Sequence, residues 1–242
     1  VGRRYSLERN MGACKCLADD GYLLVGFCRA ERMGRSSQPA RITMVFMNRL
    51  QQNCEAKATD LALLLRPQMA KLPLPIQRYD DPFLPFSRAI LDAAQPHIAC
   101  IMFDLAAYLA LGAAGAVALE RAIAYAGSRG DVLSILHVPF ASPDYAAATS
   151  ALAFAPDGVT VTSAALIPAY VLRHQAGVFV VEKQAAAEYS TYDLEVSRLR
   201  VVWQEKMMML RVVSDDVVYA SIGDEFARVM VERLEALKQA SP

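Results

Sequence analysis

The sequence predicts an α/β protein built on a mainly parallel sheet, and three observations carry that expectation. Short aliphatic or β-branched runs alternate with longer segments whose apolar residues recur at helical spacing, the pattern of repeated strand–helix units. The 242-residue length suits a single large core of the size of an α/β barrel. The composition, 55% hydrophobic and 21% charged with only 12 Gly, leaves enough apolar surface to bury a sheet among helices.

Residues 1–43 lack sustained periodicity apart from Tyr22-Leu23-Leu24-Val25-Gly26-Phe27, and read as an irregular N-terminal extension that drapes over something. Arg35-Ser36-Ser37-Gln38-Pro39 reads as its linker. A single domain is expected over 44–242, opened by a short helix at Phe46-Met47-Asn48-Arg49-Leu50. Leu61 to Leu65 is the first strand, Pro82 to Ala94 a helix and Ile98 to Phe103 the second strand. Leu105 to Ala126 is a second helix, Asp131 to Leu136 a third strand and Tyr145 to Phe154 helical. The β-branched run Gly158 to Thr162 is a fourth strand and Gly177 to Val181 a fifth. Val201-Val202-Trp203 and Met207 to Val213 read as strands, and Val217 to Ser221 as a closing strand. Asp224 to Gln239 is the terminal helix, with Phe226, Val229, Met230, Leu234 and Leu237 on one stripe and Asp224 and Glu225 complementing its dipole.

Charge narrows the partners. The chain is neutral overall, which disfavours nucleic-acid binding, because neutralising phosphates takes an excess of Lys and Arg. The balance is uneven: residues 1–43 hold eight Lys/Arg against four Asp/Glu, leaving seventeen against twenty-one for the rest. The five cysteines (Cys14, Cys16, Cys28, Cys54, Cys100) form an odd set without CxxC spacing, so free thiols in a reducing compartment are the simpler reading and a metal site at Cys14, Cys16 and Cys28 the lesser one. The longest uncharged apolar run, Leu105 to Leu119, is short of the roughly 18 residues a spanning helix needs, so no transmembrane segment is expected. The chain starts at Val1, and Arg3, Arg4 and Arg9 suit the tail of a targeting peptide, with Glu8 against it.

Several stretches resemble one enzyme family. Phe86-Ser87-Arg88-Ala89-Ile90-Leu91-Asp92-Ala93, Leu105 to Gly115 and Val159-Thr160-Val161-Thr162 are similar to scaffold motifs of the long, bacterial-type orotidine 5'-monophosphate decarboxylases. The resemblance covers about residues 46–190 and resumes near 217–239. It implies a (β/α)8 barrel, here with little more than one strand–helix unit of chain between the fifth and closing strands, and so shortened or distorted at strands 6 and 7.

The same resemblance implies lost chemistry. The family's third strand reads roughly Leu-Asp-Ala-Lys-Arg-Gly-Asp, and its Lys protonates a carbanion-like transition state while the carboxylates orient that Lys. Here Ser134 and Pro139 stand at the Asp positions and Leu136 at the Lys position. No Lys lies between Lys71 and Lys183, so a local shift that slides His137 or Asp144 into the motif does not restore it. At the other strand ends Arg66 replaces a ribose-binding Asp, Met102-Phe103-Asp104 replaces Lys-Pro-Asn, Thr162-Ser163 replaces Asn-Pro, and Ala220-Ser221-Ile222 lacks the phosphate-binding Arg.

No catalytic, cofactor-binding or metal-binding residue is therefore expected, and no cofactor. The residues that keep some chemistry are His137, a candidate acid or base against the simpler reading of a loop histidine, and Asp104 with Arg66, facing each other across neighbouring strand ends to bind a ligand or, the favoured reading, to form an ion pair. His97 and His174 read as surface positions, Tyr189-Ser190-Thr191-Tyr192 as a loop or contact surface, and Met207-Met208-Met209 with Trp203 as core or interface. The expected role is a catalytically inactive structural or accessory subunit bound to other protein subunits. A mitochondrial assembly such as a respiratory-chain or ATP synthase complex is expected, with a cytoplasmic location otherwise. The alternative is a repurposed barrel enzyme or ligand-binding module for a phosphorylated or sugar ligand.

Overall fold

The protein is described here from a computed structural model, covering residues 38–138, 142–147, 154–161, 163–166, 168–170, 177–180, 197–203 and 206–240. Among the described residues seven strands form one sheet in the order β5-β4-β3-β2-β1-β7-β6. They are β1 (Leu61–Leu65), β2 (Cys100–Asp104), β3 (Leu133–His137), β4 (Gly158–Val161), β5 (Gly177–Val180), β6 (Ser197–Trp203) and β7 (Lys206–Val213). The first five pair in parallel with their sequence neighbours, and β7 pairs in parallel with the free side of β1. This is the winding of a (β/α) barrel in shortened form, with its last parallel strand beside its first. β6 turns back on β7 as an antiparallel hairpin, so the sixth strand departs from the barrel pattern where the sequence runs short.

Two apolar layers flank the sheet, as period-2 alternation requires. On one side Leu61, Leu63, Leu65, Ile101, Phe103, Leu136, Val159 and Val161 pack under helices α2 (Phe83–Ala94), α4 (Gly112–Arg129) and α6 (Phe226–Gln239). The opposite side carries Ala62, Leu64, Cys100, Met102, Leu133, Ile135, Leu210 and Val212. That side is covered by Phe46, Met47 and Leu50 of α1 (Gln38–Lys57). Burying three large side chains at 3%, 8% and 0% exposure contributes on the order of 1.5–3 kcal/mol each.

Helix α1 is far longer than the expected five-residue opening helix and runs across the 43/44 boundary. Pro39 does not stop it, because a first-turn residue has no intrahelical partner for its N–H. At its other end Lys57 Nζ donates to the carbonyls of Gln95 (2.8 Å), Ile98 (3.2 Å) and Asp131 (2.6 Å), which ties α1 to the loops that enter β2 and β3.

Three element assignments change. The run Val217 to Ser221 is not the closing strand: Asp215–Val218 forms a short helix, α5, and β7 takes the place beside β1. Its apolar residues fit either state, and Ser214 backbone O, which accepts from Val217 and Val218 N–H, starts a helical turn. The helix expected over Leu105–Ala126 is two, α3 (Leu105–Leu109) and α4, broken where Gly112 takes φ +66°. Gly115 then lets the two helices meet, since a Cβ there would lie 1.8 Å from the Tyr108 carbonyl oxygen. Only Tyr145–Ala147 of the expected Tyr145–Phe154 helix is helical among the described residues, as a single 3-10 turn.

The motifs that carried the family resemblance are packing motifs. Ser87 in α2 donates to Phe83 O and pairs with the buried Tyr108 hydroxyl at 2.6 Å, so the 86–93 and 105–115 stretches interlock. Burial drives the Tyr108 phenol far above its ordinary range.

Candidate functional site

In barrel-type sheets the chemistry sits at the carboxyl ends of the strands. Here those ends carry a row of polar residues on the face that α1 covers. Strand alternation places Arg66 beyond Leu64, Asp104 beyond Met102 and His137 beyond Ile135, with Thr160 in β4 on the same side. Asp104 is in register with His137, and His137 with Thr160. His137 Nδ1 lies 2.7 Å from Thr160 Oγ1, which also accepts from Val138 N–H at 3.1 Å. The strand therefore turns His137, not Leu136, toward this row. Leu136 is fully buried on the other face, under the helices.

The expected Arg66–Asp104 ion pair is not formed. Asp104 Oδ1 instead accepts from Ala107 N–H at 3.1 Å and caps α3, where unpaired helical N–H groups compete for a carboxylate. Arg66 Nη2 reaches Asp215 Oδ1 at 3.2 Å, because β7 brings residue 215 beside the end of β1. Lys71 Nζ (3.3 Å) and Gln68 Nε2 (2.7 Å) share Asp215 Oδ2. Burial works to raise the Asp215 carboxyl, and Arg66, Lys71 and Gln68 outweigh it, holding the group below the ordinary carboxylate range. Tyr219 completes the cluster: its hydroxyl donates to Arg66 O at 2.8 Å and accepts from Gln68 N–H at 2.9 Å. Its phenol is pushed far up by burial.

Ser134 joins two strands. It is 1% exposed and bound to Asp157, which Arg49 of α1 also reaches at 2.7 Å. Met102 is a core residue at 3% exposure. Ser221 donates to Glu225 and Ile222 stands exposed at 57%. His97 is half-buried, within 3.8 Å of Glu235, so it is less of a surface residue than expected. Asp144 is exposed, and Ser163 only supports the turn after β4. Met207–Met209 do form strand, within β7. Pro139, Thr162, His174, Lys183, Tyr189–Tyr192, Cys14, Cys16 and Cys28 lie outside the described residues.

Among the described residues no group of three His, Cys, Asp or Glu is placed to hold a metal ion, and no helix is long and apolar enough to cross a membrane. Burial pushes the Cys54 thiol up to about 11, and that of Cys100, fully enclosed, further still. Hollows are present in the surface of the described residues. One of 330 Å³ lies at the amino ends of the strands beside Cys54, Asp60 and Lys238, and one of 270 Å³ is walled by Pro67, Met69, Phe83, Ala110 and Leu111. Neither is lined by Asp104, His137 or Thr160.

Residues 157 and 215 were not singled out in the sequence, and 49, 160 and 219 stood there only as members of helix, motif or strand runs, with no site role. Their partners stand 108, 23 and about 150 positions away.

One curated relative is the orotidine 5'-phosphate decarboxylase of Phocaeicola vulgatus, 31% identical over 81 residues, which are 33% of this chain and 30% of that protein. The chain resembles the orotidine 5'-phosphate decarboxylases. No family model matches it. Among solved structures, an orotidine-monophosphate-decarboxylase structure from Toxoplasma gondii is 28% identical with a TM-score of 0.47, over 57% of this chain and 50% of that one. The orotidine 5'-monophosphate decarboxylase of Plasmodium berghei is 12% identical with the same score, over 58% and 62%. Both scores are below 0.5, so the fold assignment rests on this chain's own strand order. The chain spans about three tenths of the length of the curated relative and about half to three fifths of the solved chains.

Proposed function

We propose that this chain is a non-catalytic, decarboxylase-like barrel protein that serves as a structural or accessory subunit of a larger protein assembly. The observation that carries the reading is the arrangement at the carboxyl ends of the strands. Leu136 is buried under the helices, away from the polar row, and Arg66 and Lys71 are turned onto Asp215. The absence of any Lys from 72 to 182 removes the ammonium that decarboxylation needs at the third strand. The basic segment 1–43 and the neutral whole fit a protein partner better than a nucleic acid.

The test is gentle purification of the endogenous protein with native sizing and organelle fractionation. Migration in a large complex, together with no turnover of orotidine 5'-monophosphate, is the expected result. A free monomer that decarboxylates this substrate overturns the reading.

A second reading has one observation in its favour. Asp104, His137 and Thr160 lie in one register row at the strand ends, where a repurposed barrel enzyme or a binding module for a phosphorylated or sugar ligand would keep its polar groups. It predicts ligand-induced stabilisation that His137→Ala abolishes.

A further inference from the structure

We draw no further inference here: the strongest candidate, the uncharged apolar surface at the turn between α3 and α4 with the hollow walled by Pro67, Met69, Ala107 and Leu111, is an unpartnered face, and nothing in the structure shows what covers it.

Discussion

Ser134 and Asp157 hold each other through three hydrogen bonds. Asp157 Oδ2 accepts from Ser134 N–H at 3.0 Å and from its hydroxyl at 2.9 Å, and Ser134 Oγ accepts from Asp157 N–H at 3.2 Å. The position at which the resemblance sets a catalytic carboxylate thus joins β3 to the entry of β4. Arg49 on the other oxygen, Asp157 Oδ1, adds α1 to the joint.

Replacing Ser134 separates these roles. Ser134→Ala should lower unfolding stability by about 1–3 kcal/mol, because Asp157 N–H and one carboxylate oxygen lose a partner. Ser134→Asp should cost more than Ser134→Ala, since it buries a second carboxylate against the first. Urea denaturation of the two variants measures the order; an equal or more stable Asp variant would mean that the site still accommodates a carboxylate.

Leu136 gives the converse case. Leu136→Lys should leave the protein without decarboxylase activity and destabilise it by on the order of 3–5 kcal/mol, because an ammonium is placed in the apolar layer under the helices with no partner. Chemical denaturation and a substrate-turnover assay check both halves. Activity gained by this single change would show that the strand can turn this position toward the polar row.

Asp215 predicts a pH dependence. Its folded pKa is depressed, so the ionised group contributes stability that is fully present above the unfolded value, near 3.8, and is lost as pH falls through that value toward the folded one. Asp215→Asn should lower the denaturation midpoint at pH 7 and flatten the acid limb of the stability profile below about pH 5. An acid limb identical to that of the unaltered protein would show that Asp215 is not held by Arg66 and Lys71 in solution.

Helix α1 should behave as core and not as a removable extension. Leu50, with no exposed surface, should cost about 2–5 kcal/mol on replacement by Ala. Hydrogen exchange followed at α1 amides should then match the global opening rate of β1. Rapid exchange confined to α1, with the sheet still protected, would show a separable helix.

How much was legible in the sequence follows the range of each interaction. The strands β1 to β5 and the helices α2 and α6 were readable to within a few residues, because apolar period and helix-end chemistry are local properties of neighbouring residues. The break between α3 and α4 was less visible, since Gly112 and Gly115 sit in an Ala-rich run that reads as one helix. The Val217–Ser221 assignment failed because an apolar run of five fits a strand or a buried helical turn equally well.

The sequence by itself determined the α/β class, the scaffold motifs and the absence of Lys from residues 72–182, all of which depend on residue type and local order. Only the tertiary structure decided which residues meet: that Arg66 pairs with Asp215 and not Asp104, that Leu136 faces the helices while His137 joins Asp104 and Thr160, and that α1 fills the opposite face. Those outcomes depend on strand order, register and the two-residue alternation of a pleated sheet. Contacts across 100 residues or more leave no trace in the pattern of neighbours along the chain.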